Sequence, residues 1–239
     1  MDNTKGLVLL ETSTGSEYEY DDGNYVTKIF GFSPNTGFSL PDHYTHFGLV
    51  VSGYIVIQNS TRTRIIHDGD FFSIVGSAII TSYGSGIITS AYKYNGMNLF
   101  GGPLEKTGKL KYINGCTDTL LIPPVRKGDP CFNHLHFPPN TIQTPHTHPS
   151  VRVNVVYRGS GICIVPESKV KEVPLVSGYA FIMKTDTIHS FNTLDTFMDV
   201  ITFHPDSDVG MTDDDHPMVN KTIVEGQSAN LMPEIRTKD

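Results

Sequence analysis

Apolar positions along this chain come in short runs rich in β-branched and aromatic residues, set between clusters of Gly, Asn, Asp and Pro. YVTKIFGF, FGLVVSGYIVI, TRIIHDG, DFFSIVG, VNVVYRGSGICIV, YAFIM and FMDVITFHP are all of this kind. Runs of that length, without a sustained 3.6-residue period, predict strands joined by turns. The expected fold is all-β, a barrel or sandwich. From Asp206 onward the pattern changes: eight acidic residues face Lys221, Arg236 and Lys238, which predicts an extended, solvated acidic tail.

The pattern also repeats. Gly53 precedes Gly69 by sixteen residues and Gly159 precedes Gly178 by nineteen, and the segments after the second glycine of each pair, GDFFSIV and GYAFIMK, align without a gap. Two related β-units in tandem explain this, one over residues 1–105 and one over residues 106–239. The join falls in the turn-rich stretch that holds GGPLEKTGK and IPPVRKGDP.

Charge narrows the functions available. Eighteen Lys and Arg stand against 25 Asp and Glu, a net charge of −7. Sequence-independent binding of nucleic acid needs a basic face, so no nucleic-acid partner is expected. The longest apolar run, Phe47 to Ile57, carries a Ser and two Gly and falls short of the ~20 residues that span a bilayer, so no membrane partner is expected either. The N-terminal MDNTKGLVLLETSTG has a four-residue apolar run and does not read as a secretory signal. Cys116, Cys131 and Cys163 are an odd set without a C-x-x-C pair. They are expected to be reduced thiols in a cytoplasmic protein.

The informative chemistry lies in PNTIQTPHTHPSVR. His146 and His148 alternate, and on a strand both rings would share one face. Rings at that spacing, about 6–7 Å apart along a strand, suit adjacent positions on a metal ion. His189 follows the second glycine-led hairpin. Asn154 shares the strand parity of His148 and Arg152 and is expected to face the same space. His134 and His136 also alternate and are candidates to line it, with plain packing as the alternative. His204 and His216 read as surface groups.

These residues resemble the two motifs of the cupin superfamily. The first reads here as Asn140, five residues, His146-x-His148, three residues, Arg152, six residues, Gly159. The second reads as Gly178, five residues, Lys184-x-Asp186, two residues, His189. All spacings of the family pattern hold, over about 200 residues counting both halves. Asn140 and Asp186 replace turn glycines and are the residue types that best tolerate positive φ. Arg152 stands where the family has a ligand glutamate, and a guanidinium cannot ligate a cation. In the first half the same register places His46 at the glutamate position, Leu40 and Asp42 at the two histidine positions and Ile80 at the last histidine. That half is expected to be metal-free.

The resemblance implies two tandem cupin barrels of jelly-roll (double-stranded β-helix) type and a three-His metal site of His146, His148 and His189. The implied cofactor is a divalent ion, Fe(II) first, with Mn, Ni and Zn as alternatives. Three-His iron sites in this family occur in dioxygenases, so the implied function is a dioxygenase acting on a small anionic substrate. Arg152 would anchor the anion, Asn154 and His134 are the further substrate-binding candidates, and His136 is a catalytic candidate, with His134 or His136 as general base if the reaction is non-redox. The alternative for Arg152 is an ion pair with Asp199. The alternatives are a non-redox isomerase or lyase and a non-catalytic anion-binding bicupin. Family barrels often pair through their edges, which implies a homodimer.

Overall fold

The computed structural model describes residues 6–10, 12 and 17–237. Most of the N-terminal stretch read for a secretory signal, and Lys238 and Asp239 of the tail, lie outside the described residues. The first half contributes β1 (Leu7–Leu10), β2 (Glu17–Asp21), β3 (Val26–Phe32), β4 (Gly37–Leu40), β5 (Tyr44–Ser52) and β6 (Tyr54–Gln58). It continues with β7 (Thr63–His67), β8 (Phe71–Val75), β9 (Ala78–Ser82), β10 (Ser85–Tyr92) and β11 (Leu99–Gly101). The second half holds β12 (Leu110–Lys111), β13 (Thr117–Ile122), β14 (Cys131–Phe137) and the long β15 (Arg152–Ile164). After these come β16 (Glu172–Val176), β17 (Ala180–Met183), β18 (Ser190–Asn192) and β19 (Met198–His204).

The sheet order β11-β8-β5-β10-β3-β2 in the first half matches β1-β17-β15-β19-β14-β13-β12 in the second. The repeat in the sequence is thus a repeat in topology, with every pair in these sheets antiparallel. One strand has changed places. Leu7–Leu10 pairs with Ala180–Met183 of the second barrel, in the position that β11 occupies beside β8 in the first. The segment 1–105 therefore does not stay wholly with the first barrel.

The glycines and their substitutes sit where the turns need them. Gly53, Gly69, Gly159 and Gly178 all have positive φ, as do Asn140 (61°) and Asp186 (56°). At Gly159 a Cβ would lie 1.9 Å from the Phe197 carbonyl oxygen, so no side chain fits there.

Alternation along β5 and β15 decides what each face does. Phe47 and Leu49 of β5 point to the second barrel, where they join Val153, Val155, Ile201 and Phe203 in one core shared by the two sheets. The Phe47 ring lies 5.2 Å from Phe203 and 6.2 Å from Phe132, centroid to centroid. The opposite face of the first barrel is filled by Phe32, Leu40, Val50, Ile55, Phe72 and Ile80. The second barrel has an apolar floor, which includes Phe137, Phe181, Met198 and Val200, but its upper half is open.

The tail is less extended than the charge pattern suggests. Residues from Pro205 turn back over the loop at 126–128, with Lys127 N–H donating to Met211 O at 3.0 Å and Gly128 N–H to Ser207 O at 2.7 Å. A short helix, α1 (Pro217–Lys221), and the hairpin of β20 (Ile223–Val224) and β21 (Gln227–Ser228) complete it. All three cysteines are buried and free. No helix of the described residues is long and apolar enough to cross a membrane.

The shared aromatic core makes a direct prediction. Phe203→Ala or Phe47→Ala should each lower stability by about 3–5 kcal/mol, the range for truncating a buried phenylalanine. Because the rings touch across the two sheets, the double mutant should lose about 0.5–1.5 kcal/mol less than the sum of the single losses. Urea unfolding of the four proteins measures this, and strict additivity would mean that the barrels do not depend on the contact.

Candidate metal centre

The segments 140–148 and 186–194 run antiparallel and bring the histidines together. Thr193 N–H donates to Thr141 O (3.0 Å), His146 N–H to His189 O (2.9 Å), His189 N–H to His146 O (3.0 Å) and Asp186 N–H to His148 O (2.8 Å). The His-x-His pair is not on a regular strand, as the alternation predicts, but on an extended segment with isolated pairings at Ile142–Asn192 and His146–His189. The reason is Pro145 and Pro149, which bring no N–H to a ladder. Gln143 repairs part of the gap, its Oε1 accepting from Phe191 N–H at 3.1 Å.

The rings of His146, His148 and His189 lie 4.5–5.1 Å apart, centroid to centroid. One nitrogen from each lies within 4.8 Å of the others. His146 Nδ1 is 2.9 Å from Thr144 O, and His189 Nδ1 is 2.9 Å from Thr187 O. A carbonyl can only accept, so both Nδ1 atoms carry the proton and both Nε2 lone pairs are left free. Burial pushes His148 down to about 3, helped by the charge of Arg152, and pushes His189 down to about 4. Neutral rings with a fixed tautomer are what a metal ligand requires. This donor set fits a divalent metal ion.

The three rings line a cavity of about 310 Å³ inside the second barrel, walled by Leu135, Phe137, Met183, Phe191 and Val200 below and by Leu110, Lys111 and Tyr112 to one side. Arg152 and Asn154 also line it, as their strand parity predicts. Arg152 is nearly buried, and its Nη1 donates to Ser150 O (3.0 Å) and Val151 O (3.1 Å). Its carboxylate neighbour is Asp206, at 3.8 Å, not Asp199. The Arg152 Nε is buried without a hydrogen-bond partner. Asn154 is held in place, its Nδ2 donating to Arg152 O (3.1 Å) and its Oδ1 accepting from the Thr202 hydroxyl (2.9 Å).

His134 and His136 are not in the cavity. On β14 the cavity side is taken by Asn133, Leu135 and Phe137, so the alternate residues point through the other face. There His134 Nε2 (3.0 Å) and His136 Nδ1 (2.7 Å) share Asp199 Oδ1, while Arg158 Nε (2.9 Å) binds Oδ2. Burial alone would raise the Asp199 carboxyl, but these hydrogen bonds and the Arg158 charge outweigh it and hold it below its usual value. Strand parity is a matter of register, and one position of slip exchanges the faces. The expected substrate role of His134 and proton-transfer role of His136 therefore fall.

His204, Asp118 and Lys111 are among the cavity-lining residues that the sequence reading did not place in the site. His204, expected on the surface, lies on the cavity side of β19 with Val200 and Thr202. Burial, Arg152 and His148 push it well below the ordinary histidine value. The signal was present, since 200, 202 and 204 alternate in FMDVITFHP. Asp118 faces the cavity with both carboxylate oxygens bound by Asn133 Nδ2 (3.2 and 3.0 Å), and burial raises its carboxyl. Lys111 has no comparable sequence signal.

In the first barrel the equivalent positions hold something else. His46 Nδ1 is 2.6 Å from the Ser90 hydroxyl, and Nε2 lies 3.0 Å from Pro41 O and 3.1 Å from Gly76 O. Both nitrogens are consumed by the protein. Leu40 and Ile80 are packed in the apolar interior.

The doubled sandwich, its matching strand orders and the converging rings can be set beside solved structures. A cupin 2 conserved barrel domain protein from Leptotrichia buccalis superposes with a TM-score of 0.59 at 12% identity, covering 84% of this chain and 97% of that one. The fold is the cupin barrel. AerE from Microcystis aeruginosa shares it with a TM-score of 0.55 at 10% identity, over 84% of this chain and 97% of that one. A salicylate 1,2-dioxygenase from Pseudoaminobacter salicylatoxidans, solved with gentisate, gives 0.57 at 12% identity, over 76% of this chain and 68% of that one. No family model matches the sequence, and no curated protein does. Likeness at these identities establishes the cupin fold and leaves the chemistry to the residues.

His46 gives this chain a pH signature apart from the three-histidine cluster. Burial lowers its pKa to about 4, from the ordinary histidine value of 6.5. Between those values the unfolded chain binds the proton that the folded chain refuses, so the stabilisation is complete above 6.5 and is lost as the pH falls toward 4. Unfolding in urea plus a chelator should show this, and His46→Gln should flatten the slope between pH 6.5 and 4.5 by close to one proton, about 1.4 kcal/mol per pH unit. An unchanged slope would show that His46 titrates normally.

Proposed function

We propose that this chain is a metal-dependent cupin dioxygenase that acts on a small anionic substrate, with Fe(II) as the first choice of ion. The observation that carries the reading is the convergence of three imidazoles in the wall of a mostly apolar cavity that also contains Arg152. His146, His148 and His189 would hold the ion. Three neutral ligands leave it the full +2 charge and up to three open positions, and it would supply the site where dioxygen and a chelating acid meet.

The chain's own residues supply the rest. Arg152 lines the cavity and offers a planar guanidinium for a carboxylate. Asn154 and Thr202, locked to each other, give a fixed polar edge beside it. Phe137, Phe191, Met183 and Val200 close the floor with apolar surface, which excludes water and suits a flat or aliphatic body. The distant structural neighbour solved with gentisate is consistent with that class.

A second reading, a non-redox isomerase or lyase in which the ion polarises a carbonyl, is favoured by one observation. Asp118 puts a carboxylate in the cavity wall, held by Asn133 and raised by burial, where a general base would stand. Such a reaction would consume no oxygen.

Metal analysis of untagged protein, followed by oxygen-electrode assays of the Fe(II)-loaded form with small thiols, diketones and hydroxy-aromatic acids, separates the two. Oxygen uptake with at least one class is the expected result; none with any class removes the dioxygenase reading. His148→Ala and His189→Ala should each lower metal retention at least about tenfold with the far-UV spectrum unchanged. Arg152→Ala should raise KM about tenfold or more and change kcat little, and Arg152→Lys should not restore it, because lysine lacks the fork.

A further inference from the structure

The hairpin of β12 and β13 lies against the cavity and has a connection to the metal centre that its own turn does not require. Cys116 N–H donates to Ile113 O at 3.0 Å, and the two central residues, Asn114 (φ 53°, ψ 37°) and Gly115 (φ 80°), are both left-handed. This is the type I′ turn that Asn-Gly favours. The Asn114 side chain does not close on its own turn. Its Oδ1 accepts from Thr144 N–H at 2.9 Å, thirty residues along the chain.

Thr144 is the residue whose carbonyl accepts the Nδ1 proton of His146. Its amide is thus gripped on one side by Asn114 and its carbonyl is spent on the other side orienting a ring. Pro145 follows, which keeps Thr144 extended and denies the segment a ladder N–H at the next position. The loop that carries His146 therefore has few other anchors between Gln143 and the His146–His189 pair. The same hairpin presents Leu110, Lys111 and Tyr112 to the cavity. Its seating determines one wall of the pocket and the aim of one ring together.

We propose that Asn114 is a positioning residue, which seats the β12–β13 hairpin on the His146 loop and fixes the Thr144 carbonyl that sets the His146 tautomer. The proposal rests on the reading of His146 as a metal ligand. Asparagine suits the position twice over, because it tolerates the left-handed backbone and offers an acceptor. A bland explanation, that it is there for the turn alone, makes a different prediction.

Asn114→Gly keeps the turn, since glycine accepts both left-handed positions, and removes only the acceptor. Asn114→Asp keeps both. Zn²⁺ affinity, measured by competition with a chelating dye, should fall about tenfold in Asn114→Gly and return to near the parent value in Asn114→Asp. In the metal-free protein, ¹⁵N shifts of the His146 ring should show Nδ1 protonated in the parent and in Asn114→Asp, and averaging between tautomers in Asn114→Gly, while the remaining amide spectrum stays in place. Equal Zn²⁺ affinity and an unchanged ring signature in Asn114→Gly would overturn the proposal, as would an Asn114→Asp protein as impaired as the glycine variant. A parent protein that retains no Zn²⁺ would instead overturn the three-imidazole reading, and the ring shifts would still decide the role of Asn114.

Discussion

Two backbone hydrogen bonds between His146 and His189, at 2.9 and 3.0 Å, carry more of this structure than their number suggests. They join two segments more than forty residues apart, neither of which is a regular strand at that point. Because they place the two residues directly opposite each other, their side chains must share a face, and the period-two step to His148 adds the third ring. Asn140 and Asp186 turn the chain at the outer ends of the pair through positive φ, and the local carbonyls of Thr144 and Thr187 set the tautomers. The convergence of the rings follows from backbone geometry.

The two barrels show what happens when the same backbone is given other side chains. At the position of Arg152 the first barrel has His46, and at the position of His189 it has Ile80, buried among Leu40, Phe32 and Phe72. The space that is a cavity in one barrel is filled in the other, and the polar group that remains is neutral and fully hydrogen-bonded. The outer faces serve both barrels equally, through the core around Phe47, Phe132 and Phe203. A filled barrel is a rigid support for an open one, since its side chains have no alternative packing to adopt.

Spacing was the part of this site most legible in the sequence, because glycine-led turns and a His-x-His step are local. The positive φ of Asn140 and Asp186 could be anticipated from residue chemistry alone. What depends on register could not. His134 and His136 alternate as convincingly as His146 and His148, and only the pairing of β14 with β13 and β19 turns them away from the cavity to Asp199. The exchange of Leu7–Leu10 into the second barrel was equally hidden, since an edge strand of four residues has no pattern that names its partner. Asp206, the neighbour of Arg152, lies in a stretch that reads as tail.

The arginine is the departure with the largest chemical consequence. A glutamate at position 152 would cancel one unit of a bound ion's charge and fill one of its positions. Arg152 does neither and adds a positive charge of its own, which Asp206 only partly offsets at 3.8 Å. A cation held by three neutral rings beside a guanidinium is therefore short of negative charge within the protein, and burial makes that shortage costly. On the proposed reading, the arrangement would be satisfied by an anion that enters the cavity and reaches the ion and Arg152 together. Metal and anionic ligand would then each raise the affinity for the other, by the same factor in both directions. On that reading metal retention is weaker in the absence of such a ligand than in its presence.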